Sequence, residues 1–216
     1  MQNLRNKTYD LLHKSESFFK TDTVYLAKGG FWLLLGQGIA MLSGFFISIA
    51  FANLFPKEAF GTYKFILSMA GILGVFSLTG LNISLIQSVA RGFGDSLRRG
   101  FRTNLKWSIG VFLGGLALSL YYYVNDNAVL SLSFLLAGTL LPVTTSASLY
   151  SAYLLGKKDF RRSFLYSLIH NIAPAATIIL VLFLTKNLPA IITVYFVMGT
   201  LIPLFLYYKT SRAYQH

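Results

Sequence analysis

Charged residues divide the chain into six long stretches that carry none, and this spacing limits what it can fold into more than any other feature. The stretches cover 29–56, 65–90, 107–125, 127–156, 163–185 and 187–208, the shortest (107–125) being 19 residues and the longest (127–156) 30. A helix needs about 20 mostly apolar residues to cross ~30 Å of hydrocarbon. Each stretch is therefore long enough for one pass, and none for two. Strands of a membrane barrel would show short alternating segments, and these runs do not alternate. The expectation is an all-α integral membrane fold with six transmembrane helices, at about 30–54, 60–79, 103–124, 129–155, 164–185 and 189–208.

Composition agrees with lipid as the solvent. Only 12 % of the residues are charged, about half the share of a soluble domain. The net charge of +12 would suggest nucleic acid in a soluble protein. Here it follows topology instead. With both termini inside, every Lys and Arg except Lys57, Lys64 and Lys186 falls in a cytoplasmic segment, as the positive-inside rule requires. Nucleic acid is thus not an expected partner; the bilayer is. Cysteine is absent, which removes disulfides, thiolate metal sites and a catalytic thiol.

Residues 1–28 read as a cytoplasmic tail, in which Leu11, Leu12, Phe18 and Phe19 alternate with charges as in a short amphipathic helix. A cleaved signal peptide does not fit, because a polar-rich segment precedes an apolar run that is too long. Residues 29–208 form the membrane domain and 209–216 a second cytoplasmic tail. The outer loops are short, so function is expected within or across the bilayer.

Small residues recur at packing intervals: Gly36, Gly38, Ser43 and Gly44 in the first span, Gly71 and Gly74 in the second, Gly110, Gly114 and Gly115 in the third. Close backbone approach drives helix association in lipid, so these read as helix seams. Pro142, Pro174 and Pro203 fall inside the last three spans, where each removes a helix hydrogen bond. Trp32, Trp107, Tyr121–Tyr123 and Tyr207–Tyr208 stand where headgroup anchors belong. In the segment 80–91, Asn82, Gln87 and Arg91 oppose Leu81, Leu85 and Ile86, which suits an amphipathic piece at the inner interface.

Polar groups within a membrane are the usual pointers to function. Lys64 stands about one turn into the second span, either snorkelling outward or facing a cavity and a phosphate. Gln37 in the first span and the pair His170–Asn171 in the fifth are the other candidates, each serving as an interhelical hydrogen bond or a ligand contact. Enzymatic chemistry has few residues to use. No two of the three His are spaced as metal ligands, and the acids lie in tails and loops without pairing. No cofactor and no metal is expected, and the chain is read as a non-enzyme.

The run Phe51-Ala-Asn-Leu-Phe-Pro-Lys-Glu-Ala-Phe-Gly-Thr-Tyr63 resembles the turn between the first two helices of the polysaccharide-export flippases, members of the MATE-like multidrug/oligosaccharidyl-lipid/polysaccharide superfamily. Gly80-Leu81 followed by Ala90-Arg91, and Leu155-Gly156-Lys157-Lys158-Asp159-Phe160, are similar to two further segments of that family. The resemblance implies two six-helix lobes around a central cavity. It also implies a polyprenyl-diphosphate-linked oligosaccharide, moved between leaflets of the cell membrane by alternating access. Cavity cations of such proteins pair with the diphosphate, which points to Lys64 first and Arg91 at the inner mouth second. Relatives carry about twice as many helices. The chain therefore looks like the N-terminal lobe and needs a second lobe, from a C-terminal half or another copy. A drug, cation or peptidoglycan-precursor exporter of the same superfamily is one alternative; a membrane enzyme or scaffold of a glycan pathway is another.

Overall fold

The computed structural model describes the backbone of residues 23–185 and 187–214, with side chains from Gly29 onward. Among the described residues there are nine helices and no strand: α1 (Thr23–Leu54), α2 (Lys57–Gly74), α3 (Leu81–Ala90), α4 (Ser96–Trp107), α5 (Ile109–Val124), α6 (Ala128–Ala147), α7 (Leu149–Gly156), α8 (Phe160–Leu184) and α9 (Leu188–Tyr214). Two long apolar runs are each split by a serine. Ser108 Oγ donates to Asn104 O at 2.7 Å, and Ser148 Oγ to Thr144 O at 2.8 Å. Such back-bonding competes with the helix ladder and bends it.

Five segments are long and apolar enough to cross a membrane: Gly29–Leu54, Ser96–Val124, Ala128–Gly156, Phe160–Leu184 and Leu188–Tyr214. The expected six becomes five because α2 stops at Gly74 and carries Lys57, Glu58 and Lys64 within 18 residues. Beyond it the chain turns, with Ser77 Oγ donating to Gly74 O at 2.6 Å, before α3 begins. The third expected span starts too late and the sixth ends too early. Helix continues back to Ser96 and on to Tyr214, since Arg and Lys are good helix formers and hydropathy marks only where the apolar part ends. Of the expected tail over 1–28, residues 1–22 lie outside the described residues, and Thr23 is already in α1. Helix is assigned on both sides of Pro142, Pro174 and Pro203.

The bundle is held by a few close seams. The main core gathers Phe51, Tyr63, Ile66, Val111, Phe134, Ile178, Ile191 and Phe196 from α1, α2, α5, α6, α8 and α9. α5 and α6 meet backbone to backbone: a Cβ on Gly138 would lie 3.0 Å from Gly115 Cα, and one on Gly115 would lie 2.8 Å from Gly138 N. Of the expected small-residue seams, Gly110, Gly114 and Gly115 do seat neighbours, and Gly36 meets Ser167. Gly38, Gly44, Gly71 and Gly74 face open space. α1 packs mainly along α8, leaving Phe31, Leu34, Met41 and Phe45 more than half exposed. Lipid solvates such a face as readily as protein does.

A second core lies where α3, α4 and α7 meet, around Leu85, Val89, Leu97, Leu149, Ala152 and Tyr153. The segment 80–91 is amphipathic as its sequence suggests, but its apolar side is buried on α7 and α4 instead of in lipid. Gly156 permits this approach, since a Cβ there would stand 2.7 Å from Val89 Cβ. At the next turn Asp159 ties three pieces together. Its Oδ1 accepts from Arg162 N at 3.1 Å, and its Oδ2 accepts from Tyr214 Oη at 2.7 Å and faces Arg162 Nε at 3.3 Å. A lost N-cap costs about 1 kcal/mol, and a lost hydrogen bond to a partly exposed charged group about 1 kcal/mol. Asp159→Ala should accordingly lower the melting temperature in detergent by about 4–8 °C, at 2–4 °C per kcal/mol for a chain of this size. Tyr214→Phe should give a smaller drop. No change in either variant would show that this turn carries no stability.

Candidate functional site

The polar residues of α8 fall on one stripe. Ser163, Ser167, His170, Asn171 and Pro174 follow one another at helical three- and four-residue intervals, which places them on a common face. That face turns toward α1, where Trp32, Gly36, Gln37, Ala40, Ser43 and Ile47 recur in the same way. The two helices are held near their N-terminal ends by rings. Trp32 packs on Phe164 at 4.8 Å between centroids, and Phe160 occupies the room left by the missing side chain of Gly29. Further along, α1 and α8 separate from α6, α7 and α9 and leave a cleft.

This cleft consists of two cavities of ≈ 310 Å³ and ≈ 320 Å³ that share Ala40, Ser148, His170 and Asn171. Trp32, Gln37, Tyr150, Ser151, Ser163 and Ser167 line the first part; Thr144, Tyr195, Phe196, Gly199 and Pro203 line the second. Among the described residues, no Asp, Glu, Lys or Arg lines either part. Several polar groups are already paired. Asn171 Nδ2 donates to Ser167 O at 2.8 Å and to Ser167 Oγ at 3.2 Å, and Thr144 and Thr200 share a hydroxyl bond of 2.7 Å. One is not: His170 Nδ1 is buried without a hydrogen-bond partner among the described residues. A buried polar atom left unpaired costs ~1–3 kcal/mol, so an occupant that pairs with it gains correspondingly.

The chemistry on offer is that of hydroxyls, amides, an imidazole and aromatic faces, without fixed charge. Such a lining recognises a ligand rich in hydroxyl groups and gives little to a bare anion. Gln37, His170 and Asn171, three of the five residues singled out from the sequence, meet here. The other two do not. Lys64 is exposed on α2, with Nζ 5.2 Å from the centroid of the Phe60 ring. Arg91 is exposed just past the C-terminus of α3.

Sequence reasoning passed over the serines. Ser163-x3-Ser167-x3-Asn171 is a polar stripe at i, i+4 spacing inside an otherwise apolar run, and that pattern was there to be read. Trp32 also differs from its expected part as a headgroup anchor, since it lines the cleft. Tyr121, Tyr123 and Tyr208 are more than half exposed, as anchors should be.

A family model described as polysaccharide biosynthesis protein matches residues 26–216, nearly the whole chain. No curated protein and no solved structure matches it. The family match runs from the first turn of α1 through the end of α9 and so takes in every residue that lines the cleft. The chain is a multi-pass membrane protein that belongs to the polysaccharide biosynthesis protein family.

Proposed function

We propose that this chain is one lobe of a flippase that carries a polyprenyl-diphosphate-linked oligosaccharide across the cell membrane by alternating access. The observation that carries the reading is the uncharged cleft between α1, α8 and the α6–α7 and α9 helices, whose hydroxyls, amides and rings suit a sugar chain. A glycan cannot cross hydrocarbon unaided, because each polar group stripped of water costs several kcal/mol, of order 2–7 without a new partner. A cleft that supplies those partners lowers the barrier, while the polyprenyl tail stays in lipid.

In this reading α2, broken at 75–80 and resumed as α3, makes the sixth pass, with both termini on the cytoplasmic side. The exposed face of α1 and the exposed cation of Lys64 then meet a second six-helix lobe, where Lys64 and, at the inner mouth, Arg91 attract the diphosphate. The protein acts as a carrier and transforms no substrate. Among the described residues no carboxylate lines the cleft, which counts against the cation-exporter alternative.

The direct test is reconstitution of the complete transporter in liposomes that contain a fluorescent lipid-linked oligosaccharide, with leaflet exchange read by quencher access. Exchange above protein-free liposomes supports the proposal. Exchange no faster than in protein-free liposomes, from folded protein, overturns it. In cells, Lys64→Ala should reduce surface polysaccharide several-fold at unchanged membrane abundance. Undiminished export would remove Lys64 from the diphosphate site.

A further inference from the structure

A third cavity lies apart from the cleft and shares no lining residue with it. It occupies the elbow between α3 and α4, has a volume of ≈ 490 Å³, and is lined among others by Ser84, Ser88, Gly92, Asp95, Arg99 and Thr103. Gly92 turns the elbow at φ +94°, a conformation that residues with a Cβ rarely adopt. Asp95 is the N-cap residue of α4, but its side chain makes no capping hydrogen bond, and Arg99 follows one turn later.

Asp95 and Arg99 have the i, i+4 spacing that commonly forms an ion pair, yet they are not bridged to each other among the described residues. Both charges remain available to the cavity they line. The hydroxyls of Ser84, Ser88 and Thr103 likewise make no hydrogen bond among the described residues. Thr139 and Thr144, by contrast, donate theirs to carbonyls of their own helix. A cavity showing a cation, an anion and three free hydroxyls is complementary to a ligand that carries charges of both signs.

We infer that this elbow binds an ammonium-bearing phosphate ester, with the phosphate on Arg99 and the hydroxyls and the ammonium on Asp95. Cβ atoms at i, i+4 are about 5–6 Å apart, so the two side chains stand close enough to take the two ends of an aminoethyl phosphate. A purely anionic ligand would meet the Asp95 carboxylate, and a purely cationic one the guanidinium. Such a group comes from an ethanolamine phospholipid or from a soluble phosphoethanolamine. Charged pockets between the helices of membrane proteins commonly hold lipid headgroups, and Phe93, which also lines the cavity, is 63 % exposed, as a contact for an acyl chain.

The test uses the full-length protein, purified in detergent, equilibrated with equimolar phosphatidylethanolamine and phosphatidylglycerol, and analysed by native mass spectrometry. The ethanolamine lipid should be retained several-fold over the glycerol lipid. Arg99→Ala should reduce its retention about tenfold, while Arg99→Lys, which keeps the cation, should preserve most of it. Asp95→Asn should reverse the order of the two lipids by removing the ammonium partner and the repulsion of the anion. Soluble phosphoethanolamine that displaces the lipid would support the site with either source. Failure to displace, with the lipid preference intact, would support it as a lipid site. Equal retention of both lipids, or an ethanolamine preference untouched by Arg99→Ala and Asp95→Asn, would overturn the inference.

Discussion

Gln37→Leu combined with Asn171→Leu should lower export by at least tenfold while leaving the transporter at its normal level in the membrane. The two amides line the same cavity from α1 and α8. Neither supports the fold strongly. Gln37 is exposed to the cleft, and the hydrogen bonds of Asn171 Nδ2 stay within its own helix at Ser167. A sugar hydroxyl facing leucine in place of an amide loses its partner, at ~1–3 kcal/mol for each unsatisfied group. Two such losses along the path amount to a factor of ten or more at 1.4 kcal/mol per decade. Surface polysaccharide normalised to membrane abundance gives the measurement. Gly38→Ala is the control, because a Cβ there meets nothing within 4 Å. Wild-type export by the double variant would mean that the sugar does not pass through this cleft.

The largest effect on stability should come from Gly115→Leu. At this crossing the backbones of α5 and α6 touch, so the added side chain has no volume to enter: Gly138 N and Phe134 O are already 2.8 and 3.0 Å from the position of the first carbon. Backbone cannot rotate away as a side chain can. Overpacking commonly costs about 1–3 kcal/mol, and a four-carbon side chain between two backbones belongs at or above the top of that range. The expected result in a detergent thermal-shift assay is a loss of about 10 °C, at 2–4 °C per kcal/mol, or no recoverable folded protein. Gly44→Leu, in open space on α1, should melt as the wild type does. Equal melting of both variants would remove the α5–α6 crossing as a determinant of the fold.

The motifs that resemble the flippases acquire physical roles in the structure, and those roles are mostly architectural. Pro56 starts α2, and Tyr63 stacks on Phe51 at 4.5 Å, closing the turn between α1 and α2. Gly156 admits α3 against α7, Phe160 fills the space over Gly29, and Asp159 secures the end of α9. In this chain these residues set helix crossings and turns. The cleft itself is made from common residue types, which leave no signature beyond their spacing.

Membrane character and the location of five spans could be read from charge placement alone, because a charge cannot sit in hydrocarbon without a partner and its absence over 20 residues has few other causes. The second span could not be settled in that way: its three charges and the break after Gly74 belong to a helix whose continuation, α3, is buried on protein. Which small residues form seams was equally hidden. Gly38 and Gly115 look alike in sequence, and only the crossing of α5 over α6 distinguishes them. The cleft shows the same division. Gln37, His170 and Asn171 were visible as polar groups out of place, but their meeting, and the separation of Lys64 from them, depended on how α1 leans along α8. When lipid and core are equally apolar, hydrophobicity does not say which face of a helix turns inward; the close packing of backbone and side chains decides it.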